Sequence, residues 1–267
     1  MTSIEFAKKI RLTALEMAYT AKSSHVGGIL SVADIVAVLY HDIARYNVHN
    51  PRDEERDRIV LSKGHCCAAV YAALAGCGFF PSDELKTFGQ NGSRFSCHIS
   101  HKVPGVELSS GSLGHGAAVA CGMALNGKRK HKDYRVFAIL GDGECNEGSI
   151  WEMVMFAGQN HLDNFTVVID ANKMQAMGNT RDIMDLEPMA EKWRAFGWHA
   201  SDVEDGHDHE QLRKAFWEES GGRPKVIIAH TIKGHGVSFM ENDLWWHYQI
   251  PYGDYYTKAV EELGGNQ

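Results

Sequence analysis

The chain reads as an α/β protein: three layers, with a mostly parallel sheet and helices on both of its faces. Three observations predict this. Two apolar runs of strand character, Arg135-Val136-Phe137-Ala138-Ile139-Leu140 and Phe165-Thr166-Val167-Val168-Ile169, flank a helical stretch. The same alternation returns near residues 208 to 230, and alternating strands and helices favour parallel strands joined by right-handed crossovers. Finally, 267 residues with 44% hydrophobic content can bury one large core, so a single domain over 1–267 is expected.

Each element has its own signal. Residues 3 to 21 carry Ile4, Ala7, Ile10, Leu12, Leu15 and Ala18 at helical spacing and stop near Ser23-Ser24-His25. Ser31, with Asp34 three residues on, resembles a capping box and predicts a helix from there through Ala44. Arg58 to Ser62 reads as a short strand, and Gly64-His65 as the start of a helix through Gly76. Gly111-Ser112-Leu113-Gly114-His115-Gly116 opens another helix, apolar to about Leu125. Helices are expected at Pro188 to Phe196 and at Asp208 to Glu219, and a strand at Lys225 to His230.

Chemistry concentrates where the two strongest strands end. Gly141-Asp142-Gly143-Glu144 follows the first, and Asn172, thirty positions after Asp142, follows the second. Two oxygen ligands therefore reach the C-terminal ends of neighbouring parallel strands, where open α/β sheets bind ligands. Carboxylate and carboxamide oxygens suit a hard cation such as Mg²⁺, which completes its octahedron with phosphate oxygens. A metal-diphosphate clamp is the functional reading; a turn needing φ > 0 and an Asx side chain is the structural one.

Composition narrows the class. A net charge of -7 without basic stripes argues against nucleic acid as a partner. No apolar run is expected to reach the roughly 18 residues that span a bilayer, and the N-terminus lacks the regions of a signal peptide, so no membrane and a cytoplasmic location are expected. The six cysteines form no Cys-x-x-Cys pair and read as buried hydrophobes or free thiols. Several of the fifteen histidines stand beside Gly or Ser in loops, where imidazole can donate to phosphate or relay protons.

Gly-Asp-Gly, an interval of nearly thirty residues and then Asn resembles the thiamine-diphosphate motif. Further segments then fall in the order seen in transketolase: Ser24-His25-Val26-Gly27-Gly28, Ser62-Lys63-Gly64-His65, Gly105-Val106-Glu107 with Gly111 to Gly116, Glu147-Gly148, and Thr231-Ile232-Lys233-Gly234-His235-Gly236-Val237-Ser238. The resemblance runs over residues 5 to 250, so the chain is identified as similar to the N-terminal half of transketolase occurring as a separate subunit. It implies the diphosphate-binding domain of the thiamine-diphosphate fold.

By that resemblance Asp142, Asn172 and the Met174 carbonyl would bind Mg²⁺ (Ca²⁺ or Mn²⁺ as substitutes), and the metal would hold thiamine diphosphate. Gly141, Gly143, Glu144, Gly111, Leu113, Gly114, Lys233, His65 and His247 would line the cofactor. His25, His65, His98 and His247 would serve catalysis by binding substrate oxygens and moving protons, with His101 a rival for His98. Glu147 and Glu152 would connect two active sites across a subunit interface. The expected reaction is transfer of a two-carbon ketol unit from a ketose to an aldose, with sugar phosphates as default substrates and sulfonated sugars as an alternative.

Departures shape the remaining expectations. The family's Ser-Gly-His-Pro-Gly is here Ser24-His25-Val26-Gly27, and Cys66-Cys67 follows His65. No segment resembles the pyrimidine-binding domain with its activating glutamate, so a C-terminal transketolase subunit is expected to supply it, in an α2β2 heterotetramer. Three alternatives stand beside this reading: a two-oxoacid dehydrogenase alpha chain or deoxyxylulose-phosphate synthase-like protein, a non-catalytic cofactor-binding partner, and a nucleotide-binding protein, the last lacking Gly-x-Gly-x-x-Gly and Walker loops.

Overall fold

The computed structural model describes residues 1–265. Five strands, β1 (Arg58–Leu61), β2 (Val136–Gly141), β3 (Phe165–Ala171), β4 (His199–Val203) and β5 (Lys225–His230), form one parallel sheet in the order β1-β2-β3-β5-β4. The helices are α1 (Ser3–Ala21), α2 (Val26–Val38), α3 (Cys67–Cys77), α4 (His115–Arg129), α5 (Gly148–Gln159), α6 (Thr180–Ile183), α7 (Met189–Ala195), α8 (His209–Trp217) and α9 (Asp254–Glu262).

The strands are apolar on both faces because both faces are covered. Phe137, Ile139, Val168, Ile227 and Ala229 join a core with residues of α1, α2, α3 and α8. Val136, Ala138, Leu140, Val167, Ile169, Val226 and Ile228 alternate to the other face and join residues of α4, α5 and α7. A third cluster, with Leu15, Val26, Leu30, Val237, Trp246 and Val260, seats the C-terminal segment against α1 and α2.

Several expectations need correction. Helix α2 begins at Val26, not at Ser31, and His25 precedes it in the left-handed region at φ 73°. Ser31 and Asp34 are not caps: both are buried and bonded to distant residues, Ser31 to Asp170 and Asp34 to Arg11, His207 and His209. The capping box lies instead at Thr2 and Glu5, where the Thr2 hydroxyl accepts from the Glu5 N–H at 3.2 Å and the Thr2 N–H donates to the Glu5 carboxylate at 2.7 Å. Val26–Ile43 is also an 18-residue apolar helical window of mean hydropathy 1.6, which interrupting polar residues conceal in the sequence; 89% of it is buried inside the fold, so protein covers its apolar faces. Strand β4 and helix α9 escape the periodicity reading: the first is a half-polar edge strand, the second a short helix in a Tyr-rich segment.

Candidate active site

Register brings the motif together. Gly141 pairs with Asp170 across β2 and β3, and Ala171 with His230 across β3 and β5, so the loops after β2, β3 and β5 leave the same crest of the sheet. The loop after β1 joins them through the Ser62 N–H, which donates to the Ile139 carbonyl at 2.9 Å.

Above this crest lies a cleft of about 310 Å³ lined by His25, His65, His98, His247, Lys63 and Lys233, with Gly28, Gly111, Leu113, Gly141, Gly143, Glu144, Asn172, Met174, Gln175 and Tyr248 around them. The four imidazoles form one group, with the His25 ring centroid 5.1 Å from that of His65, 6.1 Å from His98 and 5.2 Å from His247. Of the rivals, His98 borders the cleft, whereas His101 is exposed and its ring bonds the Ser109 hydroxyl at 2.8 Å.

Burial and nearby ammonium groups keep His25, His65 and His247 neutral. Burial first, then His98 and the charges of Lys233 and Lys63, bring His25 down to about 4. Burial and Lys233 bring His247 down to about 3, and burial with Lys63 holds His65 well below its ordinary value. Lys233 donates to His247 Nδ1 at 3.0 Å, which leaves the proton of that ring on Nε2. Lys233 itself is lowered to about 8 by burial and by Lys63, and also donates to the carbonyls of Met174 (3.3 Å) and Gln175 (3.2 Å).

The clamp residues sit deeper. Asp142 Oδ1 accepts from the Gly143 N–H at 2.7 Å, while Oδ2 accepts from the Lys173 N–H at 2.6 Å and the Thr180 hydroxyl at 3.3 Å. The segment 172–174 thus wraps the carboxylate, turning at Lys173 with φ 66°. Burial, and then the neighbouring charge of Asp170, push Asp142 up to about 6. A buried carboxyl short of positive charge, an amide oxygen and a backbone carbonyl form an all-oxygen donor set that fits a small divalent cation. The two ammonium groups and the glycines beside them fit an anionic tail: a Cβ at Gly28 would meet Cys66 Sγ at 3.1 Å, and one at Gly143 would meet Gln175 Cγ at 2.8 Å.

Other predicted residues are placed differently. The Gly114 N–H does not face the cleft; it donates to Glu144 Oε1 at 2.9 Å, because a buried carboxylate collects the amides around it. Glu144 also accepts from Ser62 and, through Oε2, from the Gly141 N–H at 3.2 Å, so it ties three loops together at the cleft wall. Glu147 and Glu152 are exposed at the start of α5 and do not line the cleft. Sequence reasoning does not single out Lys63, Gly28, Gln175 or Tyr248 as site residues. Lys63 lies inside the Ser62-to-His65 run, and its spacing to His65 is the available signal; for Tyr248, 64% exposed beside His247, adjacency is the only one.

The sequence profile described as "Transketolase, thiamine diphosphate binding domain" matches residues 2–262. The chain is 40% identical over 259 residues to one of the subunits of the apulose-4-phosphate transketolase of Phocaeicola vulgatus, covering 96% of this chain and 92% of that protein. It is 42% identical over 260 residues to a 6-deoxy-6-sulfo-D-fructose transketolase subunit of Clostridium sp., covering 96% and 94%. Its fold superimposes on transketolase from Leishmania mexicana with TM-score 0.92 at 31% identity, over all of this chain but 42% of that one, so it spans less than half of the solved enzyme. These matches do not favour the dehydrogenase or non-catalytic alternatives. Matched over nearly its whole length, the chain belongs to the transketolase family as a thiamine diphosphate-binding domain.

Proposed function

We propose that this chain is the diphosphate-binding subunit of a two-chain transketolase that moves a two-carbon ketol unit from a ketose to an aldose. One observation carries the reading: a cleft of four clustered imidazoles is bordered by Asn172 and Met174, whose segment bonds the buried Asp142 carboxylate through the Lys173 N–H, in a chain whose subunit relatives match 96% of its length. Asp142, Asn172 and the Met174 carbonyl would hold Mg²⁺, for which Ca²⁺ or Mn²⁺ could substitute. Lys233, His65 and the glycines at 111, 141 and 143 would take the diphosphate. When bound, thiamine diphosphate supplies the nucleophilic carbon that carries the transferred unit.

The chain's own groups bind and move protons. Neutral His247, whose Nδ1 lone pair is taken by Lys233, offers its Nε2–H to a sugar oxygen, and neutral His25, whose Nδ1 pairs with the Ser24 hydroxyl, offers Nε2, so both can bind substrate oxygens without a buried charge. Lys233, at about 8, stays largely protonated at neutral pH and complements an anion. The domain is single over the described residues, and the pyrimidine-binding domain with its activating glutamate is assigned to a C-terminal partner chain. An α2β2 assembly, with Glu147 and Glu152 at the subunit interface, and a cytoplasmic location complete the reading. The donor is a ketose ending in a phosphate or another anion such as a sulfonate, the class to which the named ketoses of the two subunit relatives belong.

The test is co-expression with the neighbouring encoded chain, addition of Mg²⁺ and thiamine diphosphate, and a screen of ketose donors against aldehyde acceptors. Ketol transfer by the pair is expected. Full activity of this chain alone contradicts the two-chain assignment, and no transfer by a pair that binds the cofactor contradicts the reaction.

A further inference from the structure

Beneath the cleft lies a polar network that none of the proposed ligands explains. Asp170 is fully buried in β3, yet four groups point at its carboxylate. Thr231 donates to Oδ1 through its hydroxyl; at Oδ2 stand the Lys63 ammonium (2.5 Å), the Ser31 hydroxyl (2.7 Å) and the Asn172 NH₂ (3.4 Å). An ammonium and two hydroxyl groups direct their hydrogens at the two oxygens, which places this carboxylate as an acceptor.

That polarity decides which way the Asn172 amide faces. Its NH₂ edge points at Asp170 and at Ser31 Oγ (3.3 Å), and its oxygen accepts from the Met174 N–H at 3.2 Å. Rotating the amide by half a turn would set oxygen against the carboxylate and NH₂ against an N–H, losing hydrogen bonds on both sides in a buried place, where each unmade bond costs roughly 1–3 kcal/mol. The oxygen keeps a second lone pair.

We propose that Asp170 is a positioning residue for the metal site: its carboxylate, anchored by Lys63, Ser31 and Thr231, admits only the NH₂ edge of Asn172 and so presents the amide oxygen to the cation. Partners that orient a ligand commonly alter metal affinity 10- to 100-fold, roughly, when removed. The assignment rests on the thiamine diphosphate reading above.

The measurement is calorimetric titration of Mg²⁺ at saturating thiamine diphosphate, in the two-chain complex, for wild type, Asp170→Asn, Asn172→Asp and the exchange Asp170→Asn/Asn172→Asp. Asp170→Asn alone is expected to weaken Mg²⁺ about 10- to 100-fold. In the Asn172→Asp background the same change is expected to act in the opposite sense, raising affinity, because the carboxylate at position 172 then faces an amide donor instead of a second carboxylate. A merely structural role moves neither sign nor coupling. Wild-type affinity in Asp170→Asn, or an equal loss in both backgrounds, overturns the assignment. Should Asp170→Asn fail to fold, the exchange, which keeps one carboxylate beside Lys63, is read against Asn172→Asp, and lower affinity in the exchange overturns it. A folded wild-type complex that binds no Mg²⁺-thiamine diphosphate defeats the functional reading instead.

Discussion

Replacing Gly64 by alanine probes how the cleft is held, because three of its segments meet at that residue. The Gly64 carbonyl accepts from the Ile99 N–H at 3.0 Å, and the Ile99 carbonyl accepts from the Ser110 N–H at 3.3 Å, so the loops carrying His65, His98 and Gly111 are stacked there. A Cβ on Gly64 would lie 2.3 Å from the Ser110 carbonyl oxygen and 2.7 Å from its carbon. Ordinary contact begins at 3.4 Å, so the gap must open by about 1.1 Å, the difference of 3.4 and 2.3. Ser110 has little freedom to retreat, since its hydroxyl also donates to the Leu61 carbonyl at 2.7 Å. Overpacking of this kind costs about 1–3 kcal/mol. At roughly 2–4 °C per kcal/mol for a chain of this size, the melting point should fall by about 2–12 °C. A shift of ~1 Å in positioning groups can lower turnover ~100-fold. The assays are a thermal melt and kcat/KM of the two-chain enzyme. Gly122→Ala is the control: nothing lies within 4 Å of its Cβ on the exposed face of α4, and helix propensity should stabilise it by roughly 0.5–1 kcal/mol. A Gly64→Ala protein that melts and turns over like wild type would refute the reasoning.

Three further outcomes are expected. Asp142→Ala should abolish Mg²⁺-dependent cofactor binding while circular dichroism remains that of the folded chain; unchanged binding counts against its role as a ligand. His25→Ala should lower turnover more than cofactor affinity, as read from kcat and a thiamine diphosphate titration, and equal losses in both would make it a binding residue. Acid should destabilise the chain between about pH 6.5 and 3, because burial lowers His25 and His235 to about 4 and His247 to about 3 from 6.5 in the unfolded chain. Unfolded chains then take up protons first, so stability present above pH 6.5 is lost as pH falls through the folded values. Asp142, raised to about 6, and Glu144, raised by burial, act in the opposite sense, but against them stand these three histidines with His65 and the buried Asp34, Asp57 and Asp170, all held below their ordinary values. Guanidinium midpoints at pH 7.5, 5.5 and 4 check this, and a flat series contradicts it.

The legible parts of the sequence are those where one local force dominates. Strands β2, β3 and β5 are apolar on both faces, and the all-oxygen motif follows two of them directly, so fold class and clamp emerge together. Ser31 and Asp34 mislead because their cap-like spacing is coincidental: in a helix buried on every side, polar groups are kept for tertiary bonds, here to Asp170 and to Arg11. Gly114 misleads for a related reason. Its small size at a helix start suggests an anion cradle, but the competing acceptor Glu144, thirty residues away in sequence, takes the N–H. Asp170 stands in β3 and Asn172 just past its end, two residues on, yet only the fold reveals that Lys63 and Ser31 meet them there.

Strand β4 occupies the outer edge of the sheet, and no residue between His199 and His209 lines the cleft. Substitutions on the solvent side of that strand therefore touch no cleft-lining residue, whereas His207 beyond it accepts from the Ile232 N–H at 2.8 Å and so steadies the loop that carries Lys233. The same separation offers the bench scientist an attachment point: the Ser220-Gly221-Gly222 turn, which enters β5 from the far end of the sheet, can carry a fluorophore or surface tether without shadowing the entrance used by sugars.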